Sequence, residues 1–314
     1  DFCLSRGLGD VYKRQYLGRV RGALPEPEHT LVSSGFCQAF AALCRTLRDR
    51  GVERIGVEQP GWGRLRLIAA SSGLEPVGIP VDDQGLDVGA LAAADCEVMV
   101  VTPAHQFPTG VVLSSERRAA LLEWAEEEDG LIVEDDYDSE LRYDRGAVGA
   151  LQGLSPERVC HLGSLSARLA PGLRLGWVLA PSWLSGALTY EQGLAGGAPG
   201  VPTQLALADF LGRGELDRHL RRVRLVYRRR RQVLVGELAE RLPDVRVGGI
   251  AAGLFAPCRL PEGRDPEAVA RAMGRRGVEL ESMAGELVIG YAAQSEPTLA
   301  RCVRLLSQSV CEAD

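Results

Sequence analysis

Short apolar runs alternate with amphipathic stretches along the first two thirds of the chain. RIGVE (54–58), PVGIPV (76–81), EVMVVT (97–102), GLIVED (130–135), RVCHLG (158–163) and LRLGWVLA (173–180) read as strands. Residues 36–50, 62–73, 86–93 and 115–128 read as helices between them. Continuous Val/Ile/Leu strands separated by helices predict an α/β fold, with a mainly parallel sheet covered on both faces.

After Pro202 the pattern predicts one long helix over 203–242. Leu216, Leu220, Val223, Tyr227 and Leu234 follow the three-to-four spacing of a buried stripe. That stripe makes the arginine run RHLRRVRLVYRRRRQ a solvated helix face rather than a nucleic-acid surface. Short strands in VRVGGI, AGLFAPCRL, GVELE and ELVIGYA, a helix at 265–276 and a closing helix from 296 predict a smaller α+β domain. The expected organisation is a tail or foreign segment at 1–15, a large domain at 16–205, and a linking helix with the small C-terminal domain at 206–314.

Composition narrows the function classes. The 314 residues are 46% hydrophobic and 25% charged, with a net charge of −6 that disfavours a nucleic-acid surface on the chain as a whole. No apolar run approaches the roughly 20 residues of a membrane span, and a cytoplasmic location without membrane partners is expected. Eight scattered cysteines form no CxxC pair, which points to free thiols rather than a zinc site or disulfide framework. Among 36 basic residues only Lys13 is lysine, so no lysine amine is available beyond the tail.

Four segments carry candidate chemistry. In GSLSARLAPGLRLGW (163–177), Ser164 and Ser166 offer hydroxyls and Arg174 a fork suited to phosphate oxygens. In VSSGFCQAF, Ser33, Ser34 and Gly35 open a helix whose N-terminal amides favour an anion; the same residues serve equally as a plain cap. LIVEDDYDSELRY places Glu134, Asp135, Asp136 and Asp138 at the carboxyl end of a strand, beside Tyr137. That cluster reads either as a magnesium site or as a carboxylate facing a cationic ring nitrogen, with Asp136, Asp138 and Glu140 expected to be solvated. The VTPAHQFPTGVV loop is fixed by two prolines and a glycine, and is expected to present His105 and Gln106 to the same crevice. His29, His161 and His219 read as structural, no GxSxG elbow is present, and PGWGRLRL lacks the full dinucleotide fingerprint.

VTPAHQFPTGVVLSSERRAALLEWA, LIVEDDYDSELRYDR with GALQGL, and GSLSARLAPGLRLGW resemble, in order and spacing, the aminotransferase-like domain of MocR/GntR-type transcriptional regulators. That domain is a branch of the fold-type I pyridoxal-phosphate (PLP) enzymes. VSSGFCQAF, VEQPGWGR and DRHLRRVRLVYRRRRQVL extend the likeness over roughly residues 16–310. The resemblance implies that Asp135 faces the pyridine nitrogen and Tyr137 bonds the ring's phenolic oxygen. It implies that Trp62 stacks on the ring in place of the usual tyrosine or histidine. Ser34, Gly35, Ser164, Ser166 and Arg174 would contact the phosphate, and Arg64, His105 and Gln106 the substrate. The family's GS-x-S-K pattern puts its Schiff-base lysine at Ala167, and a methyl can neither form an imine nor shuttle a proton. An arginine that grips the substrate carboxylate in some relatives corresponds to Val288.

The resemblance therefore implies a non-covalent sensor of PLP or of a PLP–amino acid, assembled as a homodimer, with transaminase chemistry lost. DNA would be reached only through a winged-helix domain absent from this chain. The alternatives are an active aminotransferase in which Ala167 is a sequence change, and a ligand-free dimerisation domain.

Overall fold

A computed structural model describes residues 16–143 and 148–312; the expected tail at 1–15 lies outside the described residues. The chain divides into two units. One holds the residues up to Gln106, Val112–Glu140 and Val148–Leu220; the other holds Phe107–Val111, Leu141–Tyr143 and the residues from Arg221 on. The division at Leu220 falls inside a helix, where composition leaves no mark.

The first unit is built on an eight-stranded sheet: β1 (Thr30–Ser33), β2 (Arg54–Gln59), β3 (Glu75–Asp82), β4 (Gly85–Leu86), β5 (Val98–Val101), β6 (Leu131–Asp136), β7 (Val159–Ser164) and β8 (Gly176–Leu179). Their order is β1-β8-β7-β6-β5-β2-β3-β4. Strands β3, β2, β5, β6 and β7 are parallel, β4 pairs antiparallel with β3, and β8 runs antiparallel between β7 and β1. Two antiparallel steps return β1 to the direction of β7, so Ser33, Gly176 and Ser164 lie in register at one end of the sheet.

Strand periodicity sorts the side chains between the two faces. Val98 and Val100, Leu131 and Val133, and Cys160 and Leu162 pack with Phe40, Leu43 and Leu47 of helix α1 (Phe36–Asp49). Met99, Val101, Ile132 and Val159 pack on the other face with Leu121 and Trp124 of helix α2 (Ser115–Glu127). Continued to the strand ends, the alternation assigns Asp135 and Ser164 to the α1 face, and Asp136 and His161 to the α2 face. The six strands expected from the apolar runs are all present, within three residues at their ends. Strand β1 and the helix Ser182–Leu194 carry no comparable signal, and the sequence reading missed both.

The expected single helix over 203–242 is two helices, Val201–Gly212 and Glu215–Arg241. Gly214 sits between them at φ +66°, a left-handed conformation that ends the first helix and that glycine adopts without penalty. Of the expected stripe, Leu216, Leu220 and Leu234 are buried, while Val223 and Tyr227 are half-buried.

The second unit carries a four-stranded antiparallel sheet of β9 (Arg246–Val247), β10 (Phe255–Arg259), β11 (Glu281–Met283) and β12 (Glu286–Gly290), in the order β11-β12-β10-β9. The strand expected at GVELE begins only at its last residue. Gly277 at φ +76° and the amide of Val278, bonded to the Met273 carbonyl, are used to close the helix Pro266–Arg275. Leu234, Leu238, Val269, Leu287, Leu299 and Val303 form that unit's core. Val288 is buried on β12 opposite Pro257.

Candidate functional site

Parallel strands that all end on one edge place the loops after them in one crevice, where open α/β sheets bind ligands. Each site residue expected from the sequence sits at that edge. Ser34 and Gly35 follow β1, Trp62 and Arg64 follow β2, and His105 and Gln106 follow β5. Asp135 and Tyr137 stand at the end of β6, Ser164 and Ser166 at the end of β7, and Arg174 just before β8.

The β1, β7 and β8 ends form one cup. The Arg174 Nη2 donates to the Ser34 carbonyl at 2.9 Å, and the Ser164 hydroxyl donates to that of Ser166 at 3.1 Å while accepting the Ser166 amide at 3.2 Å. Gly35 is at φ +90°, and a Cβ there would stand 3.3–3.5 Å from the Arg174 guanidinium. A side chain at 35 would therefore be strained and would fill the cup. Gly35 also caps α1, so the free amides and the positive end of a 14-residue helix point the same way. Trp62 lies beside the cup, its ring 6.1 Å from that of Phe36, with the Arg64 guanidinium 5.6 Å from its face.

Beside the cup is an acid with one oxygen unpartnered among the described residues. Asp135 is buried, and its Oδ1 has no hydrogen-bond partner among the described residues. Burial, and then the neighbouring carboxylates Asp136, Glu58 and Asp138, push its carboxyl well above the usual range. Tyr137 donates its phenol to the His105 carbonyl at 2.8 Å, and its ring stacks on the His105 imidazole at 6.2 Å. The His105 Nδ1 lies 2.7 Å from Asp138. Gln106 donates its amide to the Pro60 carbonyl at 2.8 Å and to Glu58 at 3.4 Å. Both His105 and Gln106 are thus buried against internal partners. Glu58 also accepts the Thr102 hydroxyl, and burial raises its carboxyl to about 7 against the opposing hydrogen bonds from Thr102 and Gln106.

The expectation that Asp136, Asp138 and Glu140 are solvated is overturned: all three are buried. Asp138 is met by His105, and for Asp136 and Glu140 the reason is a set of cations that sequence reasoning missed. Arg21 Nε bonds Asp136 at 2.9 Å and lies near Glu134; Arg168 Nη2 bonds Asp136 at 2.7 Å, and Arg168 Nε pairs with Glu140. The His161 Nε2 stands 3.1 Å from Asp136, and Tyr16 donates to Glu140 at 3.2 Å. Burial alone would raise the Asp136 carboxyl, but Arg168 and Arg21 outweigh it and hold it well below the usual range. The available signal was charge balance: acids this dense at a buried strand end require buried cations. Among the described residues, no group of three or more His, Cys, Asp or Glu side chains is placed to hold a metal ion.

The family profile described as aminotransferase class I and II matches residues 14–304. The chain belongs to that family. Its fold is that of the fold-type I PLP-dependent aminotransferases. An archaeal alanine:glyoxylate aminotransferase superposes with a TM-score of 0.86 at 26% identity, over 98% of this chain and 81% of that one. The pyridoxine biosynthesis transcriptional regulator PdxR of Corynebacterium glutamicum is 34% identical over 306 residues, covering 94% of this chain and 66% of that protein. The probable rhizopine catabolism regulatory protein MocR of Rhizobium meliloti is 31% identical over 296 residues, covering 91% and 60%. The chain thus spans less than two thirds of the length of these regulators.

The residues present fit a PLP group. The unpartnered Asp135 Oδ1 suits a ring nitrogen, and the Gly35 cradle with two hydroxyls and a guanidinium suits a phosphate. Ala167 stands in the turn after Ser166, half-buried.

Proposed function

We propose that this chain is the ligand-sensing part of a transcriptional regulator and holds PLP, or a PLP–amino acid adduct, without a covalent bond. The observation that carries the reading is Ala167: a methyl group inside an otherwise complete phosphate turn. Likeness to PdxR and MocR supports the regulatory role.

Bound PLP supplies an electron-withdrawing pyridinium ring; the chain's own residues supply recognition. Ser34, Gly35, Ser164, Ser166 and Arg174 would hold the phosphate by amide, hydroxyl and guanidinium donors. Asp135, poorly solvated and unpartnered, would share a proton with the ring nitrogen. Tyr137 would turn its phenol toward the ring oxygen, exchanging its bond to the His105 carbonyl. Trp62 would cover one ring face and exclude water, with Arg64 beside it for a carboxylate. His105 and Gln106 would act from behind, His105 by supporting Tyr137 and Gln106 by fixing Glu58. With no amine at position 167, no residue of the turn would move a proton at the substrate carbon. A homodimer and a cytoplasmic location belong to this reading, with DNA contacted through a separate domain.

Titration with PLP and with pyridoxyl–amino acid adducts, followed by calorimetry and absorbance, tests it. Saturable binding without covalent attachment is expected; no binding of either overturns it. The intact Asp135 and phosphate cup favour a second reading, an aminotransferase whose only defect is Ala167. The A167K variant separates the two by measurable amino-group transfer.

A further inference from the structure

Arg168 follows Ala167 directly and faces inward, with 1% of its surface exposed. Its Nη1 donates to the Ser164 carbonyl at 3.0 Å, the last residue of β7. Its Nη2 donates to the Asp136 carbonyl at 3.0 Å, to Asp136 Oδ1 at 2.7 Å and to the Ser139 hydroxyl at 3.3 Å, while Nε pairs with Glu140. The guanidinium lies 5.1 Å from the Trp177 ring on β8. One side chain therefore bonds two strand ends and the turn after β6, and stacks on a third strand. The arrangement is more specific than charge neutralisation requires, because Arg21 and His161 already face Asp136.

We propose that Arg168 is a positioning residue, tying the serine turn that would take the phosphate to the acidic strand end that would take the ring. Its ligand side rests on the function proposed above; its structural side does not. The β6–β7 ladder ends at the Asp136–Gly163 pair, and the rigid fork extends the tie past it, holding the Ser164 turn against Asp136 and hence the cup against Asp135, the residue before it. In a chain with no lysine in the turn, Arg168 is the turn's inward cation. The charged and titratable groups around it are Asp136, Asp135 and Glu140 from the β6 end, Arg21 with Glu134, Tyr16 against Glu140, His161 against Asp136, and His219, whose Nε2 lies 3.1 Å from the Arg168 carbonyl oxygen.

The test uses cofactor-free and PLP-titrated protein with R168M, which keeps bulk without charge, and R168K. Without the guanidinium, the buried Asp136 carboxylate is under-compensated when ionised and is relieved when it takes up a proton. The loss of melting temperature in R168M is therefore expected to be larger at about pH 8 than at about pH 5. R168K, which keeps the charge, should recover part of the loss at the higher pH. R168Q, with a donor left for the Ser164 carbonyl, serves the same comparison if R168M does not fold. R168M should also bind PLP about tenfold more weakly, the scale on which supporting residues of a site act. An equal melting loss at both pH values, or wild-type PLP affinity in R168M, overturns the proposal. If the wild-type chain binds no PLP, the functional reading falls, and the pH comparison still decides the role of Arg168.

Discussion

Asp135 and Asp136 are adjacent on one strand, yet their surroundings push the two carboxyls in opposite directions. Asp135, on the α1 face, has one oxygen without a partner among the described residues, and burial pushes its carboxyl well above the usual range. Asp136, on the α2 face, is gripped by Arg168 and Arg21, which hold its carboxyl well below the usual range. The alternation of a β-strand thus places an unpartnered carboxyl oxygen and an ion-paired carboxylate on opposite faces within a single residue step.

Asp135→Asn should leave the fold intact and weaken PLP binding by about 10- to 100-fold, the cost of removing one partner of a charge-assisted hydrogen bond. Absorbance titration gives the affinity, and circular dichroism checks the fold. Wild-type affinity in this variant would place the ring elsewhere.

Asp136→Asn leaves Arg21 and Arg168 buried around a neutral amide, and breaking such a pair costs about 3–5 kcal/mol. Because the folded Asp136 carboxyl lies below its unfolded value, its contribution is present above about pH 4 and is lost as pH falls through the folded value. Urea melts against pH should show wild type and variant converging only in strong acid.

Glu58 has the opposite sign. Its carboxyl is raised to about 7, so the folded state is favoured below the unfolded value near 4 and loses that advantage as pH rises toward 7. Glu58→Gln should remove this slope, leaving the variant relatively more stable above neutrality by on the order of 3 kcal/mol. A parallel pH profile for the two proteins would contradict it.

Gly35→Ala combines a left-handed backbone with a Cβ pressed on Arg174. A loss of about 1–3 kcal/mol in chemical denaturation is expected, together with loss of phosphate affinity as Arg174 is displaced. Calorimetry with inorganic phosphate reads the second effect.

On the function proposed above, Ala167→Lys should give covalent attachment of PLP. Intact-protein mass spectrometry after borohydride reduction would show one added pyridoxyl phosphate per chain. Mass unchanged after saturation would mean that the turn no longer points position 167 at the ligand.

The parallel core was legible because buried strands such as VMVV and LIVEDD read as unbroken apolar runs. Strand β1 was not, since TLVS holds only two apolar residues between hydroxyl side chains and makes no apolar run. The cup was legible through Ser and Gly at turn positions, whose chemistry is local. Arg21 and Arg168 were not, because each acts across more than thirty positions of sequence, or more than a hundred for Arg21, on acids whose burial only the fold reveals. His105 and Gln106 were found by their loop, while their inward partners Asp138 and Glu58 were set by tertiary packing.

Strand β7 ends at Ser164, and Ala167 stands beyond it in a turn, outside every ladder pairing. Lengthening or shortening that side chain leaves each strand bond in place. Side-chain chemistry and architecture are therefore separable at this position: a different residue at 167 changes what the turn can offer without renegotiating how the strands pair.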